Sequence, residues 1–170
     1  MQVLVHASEA HVLAWNLRDG RMPGAQGIIA ELQRQDAVMD RLSVKLTDDD
    51  PLDQVQAMAS LYWKERLPCA FLDQTSRTCR VYGDRPSQCR IHYVTTEPER
   101  CSREVEDRTI GKLHVGPEGD DSFQLDILAR LAHTSEANGL PVTVGPLQGM
   151  VLEALGMESK ALGFDVVEVP

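Results

Sequence analysis

The sequence predicts a mainly α fold: a single helical domain with an irregular cysteine-bearing loop segment and at most short strands. Three observations carry this expectation. Most of the chain repeats apolar residues at helical spacing between turn-forming residues. The stretch from Cys69 to about Thr96 lacks that periodicity and contains three of the four cysteines, with Cys101 just beyond. Strand-like runs are confined to Val3-Leu4-Val5 and Thr109–Val115. A length of 170 residues supports one core. Residues 1–170 therefore read as one domain, with a cysteine segment at 68–103 and a C-terminal helical part at 118–160.

Val3-Leu4-Val5 reads as a short extended opening. Ser8 is a plausible N-cap for a first helix whose apolar set is Val12, Leu13 and Leu17. Gly20 to Gly24, with Pro23, ends it. A second helix is expected from about Ala25 to Val44, with Ile28, Ile29, Leu32, Met39 and Leu42 on one stripe. Asp48-Asp49-Asp50-Pro51 has the form of a helix start, with acidic residues at the positive end of the dipole and proline in the first turn. That third helix turns Leu52, Val55, Met58, Ala59 and Tyr62 inward and stops before Pro68. Asp73–Ser76 and Gly83–Pro86 read as turns. Pro98-Glu99-Arg100 opens a further helix to about Asp107. Asp120 to Asn138 is amphipathic through Phe123, Leu125, Leu128, Leu131 and Ala132, with Asn138-Gly139 as its C-cap. Gly145-Pro146 starts the last helix, with Leu147, Met150, Val151 and Leu155 inward, and the tail from Gly163 to Val167 is extended.

Composition narrows the function classes. Hydrophobic residues make up 42% and charged residues 25%, ordinary values for a globular protein. The net charge of −9 argues against nonspecific nucleic-acid binding, which needs a broad basic surface. From Lys64 to Arg103, eight Lys and Arg residues face five Asp and Glu. This +3 island leaves −12 for the rest of the chain. Arginines near thiolates lower their pKa and offset the charge of a thiolate-rich centre. No secretory segment and no membrane-length apolar run is visible, so a cytoplasmic location is the expectation. There, clustered cysteines bind metal or do redox work more often than they form stable disulfides.

Cys69, Cys79, Cys89 and Cys101 are spaced C-x9-C, C-x9-C and C-x11-C. No C-x2-C knuckle is present, so the usual zinc-ribbon and ferredoxin arguments from spacing do not apply. Four thiolates are nonetheless the right number for one structural zinc or one iron–sulfur cluster, and a disulfide framework is the remaining option. His92, three residues after Cys89, is a spare ligand. Pro86 stiffens the turn into Cys89. Arg85 and Arg90 flank that cysteine as candidate supporting donors, or form ordinary ion pairs with Asp73, Asp84 or Glu97. Phe71 and Tyr82 are expected to provide apolar cover.

The wording around these cysteines resembles the YkgJ-type cysteine-cluster family of zinc- or iron-chelating domains. The residues that carry the resemblance are Pro68-Cys69-Ala70-Phe71-Leu72, Cys79-Arg80-Val81-Tyr82 and Arg85-Pro86-Ser87-Gln88-Cys89-Arg90. Cys101 matches a cysteine found in part of the family. Val3-Leu4-Val5 with Ser8-Glu9-Ala10, and the downstream Leu140 and Met150 to Leu155, are also similar. Members usually carry a Cys-x-x-Cys-Cys element just before the Val-x-Val segment, where this chain has Met1. The upstream cysteines were either lost or lie before an internal methionine; the expectation is the second. The resemblance implies metal ligation by Cys69, Cys79, Cys89 and Cys101, with iron, iron–sulfur or zinc as cofactor and no established reaction.

Other patterns carry less. Gly20, Gly24 and Gly27 lack the strand and the Lys-Ser/Thr of a phosphate loop. His6 and His11 are expected at the surface of the first helix. Asp48 to Asp50 lack the Gly and Glu of a calcium loop. No nucleophile–base pairing is visible, so no catalytic residue is assigned. The function expected is a cytosolic, bacterial-type metal-binding protein. The alternative is a non-catalytic module with a protein partner, ordered by structural zinc or by no metal.

Overall fold

The computed structural model describes residues 3–44, 57, 58, 60–62, 64–94, 112–114 and 122–159, with the backbone alone for 91–94, 112–114 and 122–128. Within these residues the protein is mainly helical, as the periodicity predicts. In chain order the elements are β1 (Leu4–His6), α1 (Ala7–Arg18), α2 (Ala25–Ser43), a helical stretch within 57–64, a 3-10 turn (Tyr82–Asp84), α3 (Ser87–Ile91), β2 (His92–Val94), β3 (Lys112–His114), α4 (Ser122–Ala137), β4 (Val144–Pro146) and α5 (Leu147–Ala154).

β1 and β4 pair antiparallel with Val5 opposite Gly145, and Leu147 N–H to Val3 O (2.9 Å) and Ala7 N–H to Thr143 O (3.0 Å) continue the ladder. This clip brings α5 onto α1 and α2. Leu13, Leu17, Ile28, Leu32, Phe71, Val151 and Leu152 form the main core, and each large aliphatic side chain buried there contributes about 1.5–3 kcal/mol. A second cluster joins Val38, Met39 and Leu42 of α2 to Met58 and Tyr62. β2 and β3 form a separate antiparallel pair, His92 opposite His114.

Several expectations hold. The α2 stripe is buried as expected, with Ile29 half-buried, and Leu147 and Val151 face inward while Met150 and Leu155 are half-buried. Gly24 ends the α1–α2 break with φ +76°, in the left-handed region that favours glycine. Leu131 and Ala132 are half-buried, and Gly139 follows α4 with φ +65°. The expected third-helix start, the helix after Pro98 and the extended tail lie outside the described residues.

Other expectations are corrected. The N-cap of α1 is His6, whose ring nitrogen accepts from Ser8 N–H, while Glu9 reaches back to His6 N–H. Ser8 sits two residues past the cap position, inside the first turn. His6 is buried, at 3% exposed, because β1 delivers it into the interior against Ser135 of α4; His11 is exposed as expected. Val12 faces solvent, and Ala10, Leu13, Ala14 and Leu17 form the buried stripe instead. Gly145-Pro146 starts the last helix as expected, with Pro146 as its N-cap, and also closes β4.

Candidate metal centre

The cysteine segment folds as two successive out-and-back excursions, which is the physical content of its nine-residue spacings. In the first, Asp73 N–H bonds Thr78 O and Arg80 N–H bonds Phe71 O, both at 2.9 Å, so Leu72 pairs with Cys79. Asp73 shapes the tip: its Oδ1 accepts from Thr75 and Ser76 N–H at 2.9 and 3.0 Å. Those amides hold its carboxyl below the usual range, with Arg80 Nη2 3.1 Å from Oδ2 contributing less. The return of the hairpin brings Cys79 back toward Cys69.

The second excursion runs through Val81, the 3-10 turn and Pro86 into α3, where Cys89 is the third residue. Arg90 holds it shut by donating to the carbonyls of Arg85 (2.7 Å) and Gly83. Three bonds tie it to the N-terminal elements. Glu9 Oε1 accepts from Ser87 N–H at 2.6 Å, Gln88 Oε1 accepts from Leu4 N–H at 3.2 Å, and Asn16 Nδ2 donates to Asp84 Oδ2 at 3.1 Å. Glu9 therefore caps the start of α1 with one oxygen and the start of α3 with the other.

Cys69, Cys79 and Cys89 are free thiols within electrostatic reach of one another. Burial pushes the Cys89 thiol up to about 12, the two other thiols add to the rise, and the Arg85 guanidinium opposes it. Cys69 is exposed as a residue, yet the protein around its sulfur pushes its thiol up as well. The backbone N–H groups of Phe71 and Leu72 act the other way on Cys69 and favour its thiolate. Phe71, 1% exposed, covers the site from the core, and Cys79 and Cys89 pack against that core.

Two expected neighbours take different roles. Tyr82 is 68% exposed and stacks under the Arg85 guanidinium, 4.1 Å from ring centroid to Cζ, so it does not provide apolar cover. Arg90 serves the backbone rather than an acidic side chain. Arg85 Nε is buried with no hydrogen-bond partner among the described residues. The ion pair expected for these arginines is made instead by Arg80 with Asp73. Cys101 and the His92 side chain lie outside the described residues.

The donor set suits a soft metal. It consists of thiols whose protons a metal would displace, with backbone donors at Cys69 and an arginine beside Cys89. Among the described residues no group of three or more His, Cys, Asp or Glu side chains already stands close enough to hold an ion. Residues 29–111 match the model of the CxxCxxCC family, described as a "putative zinc- or iron-chelating domain". Over these residues the chain is similar to that family. The CxxCxxCC match runs from α2 through all four cysteines and His92, while the similar segments noted in β1, α1 and α5 lie outside it. No curated protein and no solved structure matches the chain. Among the described residues no helix is long and apolar enough to cross a membrane.

Glu9 and Gln35 escaped the sequence reading as contributors to the site. Glu9 lies in the Ser8-Glu9-Ala10 motif, but its reach to Ser87, 78 positions away, has no local signal. Gln35 interrupts the apolar stripe of α2 at a buried position, and that interruption was the available clue.

Proposed function

We propose that this chain is a cytosolic metal-binding protein that holds zinc or iron through Cys69, Cys79, Cys89 and Cys101. The observation that supports the reading is that two out-and-back excursions return Cys79 and Cys89, ten and twenty positions on, to within electrostatic reach of Cys69. Among the described residues Cys69, Cys79 and Cys89 form no disulfide with one another. Thiolates are soft ligands, suited to zinc or to iron, including an iron–sulfur cluster. The raised Cys69 and Cys89 thiols mean that loading releases protons and draws the sulfurs together, so metal occupancy and folding are coupled. Arg85 offsets the negative charge that develops as the thiols ionise. His92 is a further donor on the same segment. The family match supports zinc or iron as the metal class. Elemental analysis of anaerobically purified protein tests the reading: zinc or iron in stoichiometric amount is expected, and Cys89→Ser should lower metal content and stability together. Unchanged metal content in that variant would remove Cys89 from the ligand set.

A further inference from the structure

The peptide that leads into Cys69 is held from outside the cysteine segment. Gln35 on α2 and Tyr62 on the helical stretch within 57–64 are 3% and 4% exposed. Gln35 Nε2 donates to the Pro68 carbonyl at 2.7 Å and to Glu31 Oε1 at 2.6 Å, and the Tyr62 hydroxyl donates to Gln35 Oε1 at 3.0 Å. The partners fix the orientation of the amide. A peptide carbonyl and a carboxylate only accept, so the nitrogen must face both and the oxygen is left for the phenol. Glu31 is in turn gripped by Arg34 through Nε at 2.8 Å and Nη2 at 2.6 Å.

We propose that Gln35 and Tyr62 are positioning residues for Cys69, fixing the Pro68–Cys69 peptide so that the thiol is presented to the metal together with Cys79 and Cys89. The proposal rests on Cys69 being a ligand. The proline ring sets φ of Pro68, so the remaining freedom of that planar peptide is the rotation that swings the Pro68 carbonyl. Gln35 holds that carbonyl. On the other side, Leu72 N–H bonds Cys69 O at 2.9 Å and closes the turn. Cys79 and Cys89 pack against the main core while Cys69 is exposed as a residue, so hydrogen bonds contribute more to its aiming. Tyr62 lies within electrostatic reach of Cys69, which puts this buried network beside the site rather than at a distance.

The test is a Co²⁺ titration against a competing chelator, with the sulfur-to-cobalt charge-transfer band as a second readout. It uses the full chain, Gln35→Met, Tyr62→Phe, Cys69→Ser and the double variant Cys69→Ser/Gln35→Met. Gln35→Met should weaken Co²⁺ binding roughly 10-fold or more and reduce the band, the scale seen when partners of metal ligands are removed. Tyr62→Phe keeps the bond to Pro68 and should give a smaller loss in the same direction. In the Cys69→Ser background the Gln35→Met effect should disappear. A folded Gln35→Met with unchanged affinity and spectrum, or an equal fold-loss with and without Cys69, overturns the positioning role while leaving Cys69 a ligand. If Gln35→Met does not fold, unchanged affinity and spectrum in Tyr62→Phe overturn it. If Cys69→Ser alone changes neither readout, the ligand assignment of Cys69 fails and this inference fails with it.

Discussion

Replacing Glu9 tests how the helical frame holds the cysteine segment. Its carboxylate accepts from His6 N–H at 3.0 Å and from Ser87 N–H at 2.6 Å, so one side chain starts two helices. A hydrogen bond to a charged group contributes about 1.5–3 kcal/mol. Water can reach this half-buried site and replace part of each bond, so Glu9→Ala should cost about 2–4 kcal/mol. Glu9→Gln keeps one acceptor oxygen and should lose about half of that. Urea denaturation of the metal-free protein reads the cost as a shift in midpoint at unchanged slope. A second readout is specific to the contact. The Glu9 charge raises the Cys89 thiol, so its removal should make Cys89 titrate lower. Hydrogen exchange should also accelerate at 87–91 more than in α2. A loss below about 0.5 kcal/mol in Glu9→Ala, with Cys89 titrating as before, would refute the shared-cap reasoning.

Phe71 lies at 1% exposure between Cys69 and Cys79, so Phe71→Ala should lose about 3–5 kcal/mol in the same denaturation assay. The pH dependence has two arms. Burial lowers the pKa of His6 against an opposing contribution from Glu9, so the unfolded chain takes up the proton first. Stability from His6 is complete above about pH 6.5, its unfolded value, and is lost as pH falls through the lower folded value. His6→Asn keeps an N-capping side chain and should flatten that acid arm in urea midpoints taken from pH 7.5 downward. On the alkaline side the raised Cys89 thiol favours the protonated fold. Metal-free protein should therefore lose stability above about pH 8.5, the unfolded thiol value, and toward about 12, where Cys89 titrates in the fold. Cys89→Ala should remove its share of this dependence and leave that of the raised Cys69 thiol.

The helices were legible because their evidence is local. The α2 stripe from Ile28 to Leu42 and the glycine-bounded break before it follow from spacing and capping alone. So did the cysteine segment, whose residue types and turns state its chemistry without the fold. What escaped depends on distant partners. His6 looked like a surface residue because its burial is created by Ser135, 129 positions away, and by the β1–β4 pairing. α3 has five residues, too few to show a period, and its first amide is capped by Glu9 from another helix. Tyr82 turns outward because a 3-10 turn sets its direction, and Arg85 covers its ring there. The network of Gln35, Tyr62 and Pro68 joins three segments and has no sequence signature beyond a polar residue on an apolar stripe.

In the proposed function Cys69, Cys79 and Cys89 hold a metal. The most direct measurement is the metal-to-protein ratio of anaerobically purified wild-type protein beside the Cys69→Ser, Cys79→Ser and Cys89→Ser variants. Bound zinc or iron in the wild type that falls in each folded single variant is the predicted result. Equal metal content across all four proteins, or none in the wild type even after anaerobic incubation with zinc and with ferrous iron, would contradict it.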